Sequence, residues 1–189
     1  MIVFEKRGKE NTEETAETAI RTAKERNLPV IAASNTGRTV RVLLAEARKQ
    51  DYHGTIVMVS HVYGMKQPDF NELSDEEREA LEAEGVKIVT AAHALSGAER
   101  GISAVFKGVY PVEIAAHTLR MFGAGVKVCV ECALMACDAG MVRCGQPAVC
   151  VGGTGGGADT ACVILPSYTA KLFDTKISEI LCKPGLMEG

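Results

Sequence analysis

The fold class is decided by the stretch PVIAASNTGRT, Pro29–Thr39. Its first half is a short apolar run between polar residues, which is typical of a strand that is buried on both faces. Its second half is a polar turn, and after it Val40, Leu43, Leu44 and Ala47 recur at the helical period. The stretch therefore predicts a strand, a tight turn and a helix, which is the unit of a parallel α/β sheet.

The same unit recurs along the chain. Buried strands are predicted at Thr55–Ser60 and Val86–Thr90, with helical patterns around them. The helices are preceded by pairs of residues of the capping type, namely Asn11 with Glu14, Ser74 with Glu77, and Ser96 with Glu99. These pairs predict helices over Thr12–Arg26, from Ser74 to Gly85, and around Ile102–Phe106; a further helix runs from Pro111 to Gly123.

The last third of the chain departs from this alternation. Residues 126–139 fit both a strand and a helix, and their length together with Gly140 favours a largely buried helix. Strands are then predicted at 148–151, 161–165 and near 176–181, with no helix between them, which predicts an antiparallel carboxy-terminal edge. The pattern as a whole predicts one α/β domain over residues 1–189, with a mostly parallel sheet covered on both faces.

Bulk composition narrows the classes of partner. The 189 residues carry a net charge of −3, which argues against nucleic acid or an anionic membrane as the main partner. No apolar run reaches the roughly 18 residues that a membrane span needs, and the basic residues near the amino terminus follow the apolar ones, the wrong order for a signal peptide. We therefore expect a cytoplasmic protein with no nucleic-acid or membrane partner.

The first candidate binding loop follows the strand predicted at residues 29–34. At the amino terminus of a helix, unpaired backbone amides and the positive end of the helix dipole favour an anion. Gly37 allows a close approach to the backbone, the hydroxyls can donate hydrogen bonds, and Arg38 can add a charge-assisted one. Helix capping alone needs only one such residue, so the loop predicts an anion site composed of Ser34, Asn35, Thr36, Gly37, Arg38 and Thr39.

The second loop is rich in glycine. Five of the six positions from 152 to 157 are glycine, and consecutive amides without side chains form a nest for phosphate oxygens. The loop also matches the dinucleotide fingerprint, but a strand that ends at Pro166 follows it in place of the crossover helix, so the prediction is a nest for one phosphate group. The predicted binding residues are Gly153, Thr154, Gly155, Gly156, Gly157, Ala158, Asp159 and Thr160.

Further polar residues belong to the same sheet edge. Ser60 and His61 end the second buried strand, and His93 follows the third, so we assign them to the ligand site, with either histidine as a less favoured catalytic residue. Two alternatives stay open for Asp159, which either binds sugar or ribityl hydroxyls or caps its own loop. Glu131 and Asp138 share a helix face, and we expect them to accept hydrogen bonds from nearby amides.

The seven cysteines favour packing over redox or metal chemistry. Most lie in apolar surroundings, and reduced cysteine behaves as a small apolar residue. Cys129 and Cys132 have the CxxC spacing, but no second pair of similar spacing completes a zinc site. We therefore predict reduced core thiols and no metal.

The two loops, in this order, resemble a known family. Ser34–Thr39 and Gly153–Thr160, with 126–128, 138–140 and 179–184 between and after them, are similar to stand-alone proteins related to the carboxy-terminal α/β domain of pyruvate kinase. The resemblance covers nearly the whole chain and implies a three-layer α/β/α fold. It implies no kinase activity, because the catalytic barrel is missing, and it implies flavin mononucleotide (FMN) as ligand.

These observations lead to one main functional hypothesis and two alternatives. The chain is predicted to bind a phosphorylated small molecule, FMN in the first place, through its two backbone loops. The first alternative is a regulatory or sensor module that binds a sugar phosphate or a nucleotide without chemistry. The second is a flavin-dependent oxidoreductase that uses His61 or His93. A homo-oligomer is compatible with each of the three.

Overall fold

A computed structural model describes residues 1–185 of the chain. The strands are β1 (Ile2–Phe4), β2 (Val30–Ala33), β3 (Ile56–Ser60), β4 (Lys87–Thr90), β5 (Ala148–Gly152), β6 (Thr160–Leu165) and β7 (Lys176–Pro184). The helices are α1 (Thr12–Arg26), α2 (Arg38–Lys49), α3 (Asp75–Ala83), α4 (Gly97–Phe106), α5 (Pro111–Arg120) and α6 (Ala124–Asp138). Short 3-10 helices lie at Lys9–Asn11 and Thr169–Asp174.

The seven strands form one sheet in the order β1-β7-β6-β5-β2-β3-β4. Pairs between β5, β2, β3 and β4 are parallel, and so is the pair of β1 with β7. Strand β6 pairs antiparallel with both β5 and β7. The predicted mostly parallel sheet with antiparallel pairing in its carboxy-terminal part is therefore confirmed. The outermost strand on that side is β1, which the sequence analysis did not predict.

Helices cover both faces of the sheet, as predicted. Side chains of α1, α2 and α3, among them Ile20, Leu43 and Leu81, form one core with one sheet face. Side chains of α5 and α6, among them Ala116 and Leu134, form the second core on the opposite face. The ambiguous segment 126–139 is a helix, α6, and twelve of its residues are buried.

The predicted capping pairs had mixed outcomes. Ser74 accepts a hydrogen bond from the amide of Glu77, so its predicted role as the cap of α3 is confirmed, whereas the Glu77 carboxylate pairs with Arg41 and does not complete the capping box. The other two pairs are wrong: Asn11 donates to the carbonyl of Lys6, and the Glu99 carboxylate accepts the amides of residues 112 and 113 in the first turn of α5. Glu99 therefore caps the helix that follows its own, because the α4–α5 turn places its side chain there.

The described residues 1–185 contain no helix that is both long and apolar enough to cross a membrane.

Candidate functional site

The two predicted loops leave neighbouring strands in the middle of the sheet. From β2 the chain proceeds to β3 and β4 on one side, whereas β5 pairs with β2 on the other side. Such a reversal of strand order opens a crevice at the carboxyl ends of the strands, where α/β proteins bind their ligands. The loop after β2 and the glycine loop after β5 both lie at this position.

The first loop leads directly into α2. Gly37 is the residue before the helix, with φ of 85°, and it has no side chain to cap the first turn. Ser34 and Thr39 are buried, whereas Thr36 and Arg38 are exposed. The close approach at Gly37 is made by α3, because a Cβ there would lie 2.7 Å from Glu77 Oε1. That carboxylate is paired with Arg41, which lowers the pKa of Glu77.

The glycine loop presents backbone to solvent. Gly155, Gly156 and Gly157 have positive φ values of 69°, 103° and 77°. Gly155 and Gly156 are exposed, and a Cβ on either of them would meet nothing within 4 Å. This backbone is open to a ligand on its outer side, as a phosphate nest requires. The antiparallel β6 follows at once, which confirms that no crossover helix of the dinucleotide-binding type is present here.

The amino-terminal segment, residues 8–12, packs against the glycine loop and bonds to it. Thr12 Oγ1 accepts the amide of Ala158 at 3.0 Å, and a Cβ on Gly157 would lie 2.7 Å from the Cα of Lys9. The Gly8 amide donates to Asp159 Oδ2 at 3.1 Å. The amino-terminal segment therefore holds the glycine loop in place.

The residues that leave the loop are buried and bonded within it. Asp159 is fully buried, and its second carboxylate oxygen accepts the hydroxyl of Thr160 at 2.8 Å. Ala158 and Thr160 are also buried. Of the two alternatives for Asp159, these contacts support capping of the loop. The assignment of the three residues to the ligand site stays a prediction.

The two predicted histidines lie together, as their strand positions indicated. The rings of His61 and His93 have centroids 5.2 Å apart in an edge-to-face arrangement. Ser60 is buried, and its hydroxyl lies 3.1 Å from the hydroxyl of Thr90 on β4. His61 Nδ1 lies 2.7 Å from Glu72 Oε2. Glu72 was not predicted, because nothing in the sequence of the long loop after β3 indicates which residue turns back toward the strand.

A buried ion pair on α6 lies near His93. Lys127 and Glu131 are both buried on α6, and the lysine ammonium contacts one carboxylate oxygen. The other oxygen accepts the amide of Leu95 at 2.9 Å, which confirms the predicted role of Glu131 as an acceptor. Asp138 likewise accepts the amide of Thr169. Lys127 was missed, although a lysine four residues before a glutamate in an apolar helix is a recognisable signal.

The pKa of His93 responds to these neighbours. Burial lowers this pKa; the charge of Glu131 opposes the effect, and His61, Lys127 and Arg100 add to it. His93 also lines a cleft of about 580 Å³ between the β4–α4 loop, α6 and Thr169. A second cleft, of about 660 Å³, lies at the opposite sheet edge around Tyr52 and Gly85. Neither of these two clefts is lined by residues of the two predicted loops.

The cysteines pack as predicted. Six of the seven are buried, and Cys144 is exposed. Burial raises the pKa of the Cys132 thiol to about 12 and that of Cys137 to about 11, so these thiols stay protonated near neutral pH. Within residues 1–185, no group of three or more His, Cys, Asp or Glu side chains is placed to hold a metal ion.

A family comparison agrees with this geometry. The model of the family described as pyruvate kinase, alpha/beta domain, matches residues 9–164. The chain belongs to this family. The match confirms the resemblance on which the three-layer fold was expected. The two predicted loops of this chain lie inside the matched range. Strands β1 and β7, which pair with each other, lie outside it.

Proposed function

We propose that this chain binds FMN, with the phosphate between the glycine loop and the amino terminus of α2. The observation that carries the proposal is the placement of the two loops after adjacent strands, at the point where the strand order reverses. The positive end of a helix dipole and a run of unhindered amides both favour a phosphate, and together they provide more donors than either element alone.

The fit of the phosphate group rests on the glycines. Gly155 and Gly156 have exposed backbone and open space where a side chain would stand, so a phosphate oxygen can reach their amides. Exposed Arg38 stands at the first turn of α2 and can add a charge-assisted hydrogen bond. Thr36 is exposed and Thr154 is half-buried, so each of the two loops also offers a hydroxyl donor.

The remainder of the ligand is proposed to extend along the strand ends. Neighbouring strands lie about 4.8 Å apart, so the row from β5 through β2 to β3 covers about 10 Å. A ribityl chain suits a row of this length and leads the ring system toward Ser60 and His61. The chain has no tryptophan on which the ring could stack, so the ring would lie against aliphatic side chains.

The first test is the visible spectrum of the purified chain, followed by release of the ligand by heating. The expected result is bound or readily bound FMN. In Gly155→Asp the added carboxylate repels the phosphate by about 1 to 4 kcal/mol at 4 Å, so FMN affinity falls by about fivefold to several hundredfold. The fold should survive, because φ at this position is 69°, a region that aspartate tolerates, and the site is open.

Two matched controls isolate the charge. Gly155→Asn introduces the same shape without the charge and should keep most of the affinity. Gly85→Asp adds the same carboxylate at another open glycine of positive φ, at the opposite edge of the sheet, and should bind FMN normally. Equal FMN affinity in Gly155→Asp and Gly155→Asn would contradict the proposal. A colourless protein that takes up a sugar phosphate or a nucleotide but no flavin would favour the regulatory alternative.

A further inference from the structure

His61 and Glu72 form a hydrogen-bonded pair beside the strand ends. Their contacting atoms are 2.7 Å apart, and the side chains are only 26% and 14% exposed. Lys66 Nζ lies 2.7 Å from the other carboxylate oxygen. These contacts, that with Lys66 first and that with His61 after it, lower the pKa of Glu72. A charged carboxylate only accepts hydrogen bonds, so it fixes the proton of neutral His61 on Nδ1 and leaves a lone pair on Nε2.

The loop that carries Glu72 is held by its own hydrogen bonds. Asn71 donates to the carbonyl of His61 at 2.7 Å and accepts the amide of Leu73 at 2.9 Å. Leu73 is fully buried in the first core. Glu72 lies between these two anchors, so its carboxylate is held next to His61 by local structure.

The position of His61 relates it to the proposed phosphate site. The amide of Ser34 bonds to the carbonyl of Val59, and Ala33 pairs with Val59, so β2 and β3 end side by side, with the first loop after β2 and His61 after β3. His61 is therefore one strand away from the first loop and two strands away from the glycine loop. Within residues 1–185 its Nε2 has no hydrogen-bond partner.

A second histidine ring lies next to that of His61. His93 packs against it edge to face, and the low pKa of His93 favours the neutral ring. The charged groups around the two rings are Glu72 and Lys66 at His61, and Lys127, Glu131 and Arg100 at His93. Of these five charged groups, only Glu72 contacts the His61 ring within residues 1–185.

We propose that His61 exchanges a proton with the bound phosphorylated ligand through Nε2, and that Glu72 is a positioning residue that fixes the ring tautomer. The ligand class is a phosphorylated molecule with an N–H or O–H group about two strand spacings from its phosphate. The position of the ligand in this inference rests on the proposed function; the tautomer of His61 does not.

The proton balance is simple. The Nε2 lone pair takes the proton from the ligand heteroatom, which keeps the electron pair of the broken bond. The ring then carries both protons, and its positive charge is balanced by Glu72 at 2.7 Å. The reverse transfer restores neutral His61, and no oxidant or reductant is consumed.

The first test measures the tautomer in the full chain. The ring nitrogens of ¹⁵N-histidine are observed by NMR above pH 8, with each histidine assigned from its His→Gln variant. We expect His61 to carry its proton on Nδ1. In Glu72→Ala the proton should move to Nε2, the position favoured in free histidine. In Glu79→Ala, which removes an exposed carboxylate of α3 with no contact to His61, the tautomer should not change.

The second test adds FMN, with binding followed separately by quenching of flavin fluorescence. We expect the Nε2 resonance of His61 to shift on saturation, whereas those of His53, at the opposite edge, and His117, on α5, stay in place. The wild-type chain, Glu72→Ala and Gly155→Asp are compared, because only the last is designed to lose the phosphate contact.

The outcomes separate the two proposals. FMN that binds without moving His61 Nε2, or a wild-type His61 with its proton on Nε2, overturns the proton-transfer proposal and leaves the flavin proposal intact. If FMN does not bind, the flavin proposal is wrong, and the same titration with adenosine monophosphate decides whether His61 contacts a phosphorylated ligand. A chain that binds neither compound contradicts both.

Discussion

Lys127 and Glu131 lie one turn apart on α6, and less than a tenth of either side chain is exposed. Removing two charges from water is costly, and the pair is tolerated because the carboxylate has two partners, the lysine and the amide of Leu95. Leu95 begins the approach to α4, just after His93. The pair therefore fixes the loop that carries His93 to the helix beneath the crevice.

Removal of the lysine alone should cost more stability than neutralisation of both partners. Lys127→Met leaves an unpaired buried carboxylate and should lower the free energy of unfolding by about 3 to 5 kcal/mol. The double variant Lys127→Met/Glu131→Gln keeps an acceptor for the amide of Leu95 without a buried charge, so it should be more stable than the single variant. Urea unfolding measures both, and a double variant no more stable than Lys127→Met would contradict this account.

The glycines show how far single residues could be interpreted from sequence. The open backbone at Gly155 and Gly156 agrees with a nest, since five glycines in six positions need a reason beyond chain reversal. Gly125 gave no such signal, yet a Cβ there would lie 2.1 Å from Thr160 Oγ1. A single glycine in a helix indicates close packing only after its neighbour is known, and that neighbour is 35 positions away.

At the scale of elements, helix and strand positions followed from periodicity, whereas their ends did not always. The strands at residues 30–33, 56–60 and 148–152 are apolar on both faces and were predicted within one or two residues. Strand β1 is three residues long and was missed, because so short a run has no period. Glu99 was predicted to cap its own helix, α4, because the local sequence cannot show that a turn brings its carboxylate to the first turn of α5.

The junction of α1 with the glycine loop leads to a prediction at this scale. Thr12 Oγ1 accepts the amide of Ala158 and donates to the carbonyl of Lys9. Thr12→Val keeps the shape and removes both bonds, at a cost of about 1 kcal/mol for each. Hydrogen exchange of the Ala158 amide should accelerate about fivefold or more, and FMN should bind more weakly because its loop is less ordered.

A conservative variant provides the control for this junction. Thr12→Ser keeps the hydroxyl, so both the exchange rate at Ala158 and FMN affinity should stay close to those of the wild type. If Thr12→Val and Thr12→Ser exchange at the same rate, the hydroxyl does not hold the loop, and the support must come from the Gly8–Asp159 hydrogen bond.

At the scale of the whole molecule, the order of the strands is the feature that sequence could not provide. Alternation predicts a parallel sheet, but it does not say that β5 returns to the far side of β2 and so places the two loops next to each other. The site was predictable as two separate loops because each has its own local chemistry. Glu72 and Lys127 became visible only when the chain was folded around them.

The expected homo-oligomer stays a prediction, and one surface of the molecule suits it. Helix α4 has no buried residue, although a ten-residue helix is not stable on its own in water. Ile102, Val105 and Phe106 lie on one face of α4 at helical spacing. The large apolar side chains exposed in this region, here called the α4–α5 surface, are Ile102, Val105, Phe106, Val109, Ile114, Met121 and Phe122.

A second copy of the chain is the occupant that this surface favours. A twofold axis brings a surface onto itself, so apolar groups meet apolar groups, and each partner in a standard interface buries roughly 800 Å². Light scattering should give a dimer or a larger even-numbered assembly for the wild type. Phe106→Lys should lower the mass, whereas Phe173→Lys, at a side chain of similar exposure outside the α4–α5 surface, should leave it unchanged. A monomeric wild type would show that another partner, or none, covers α4.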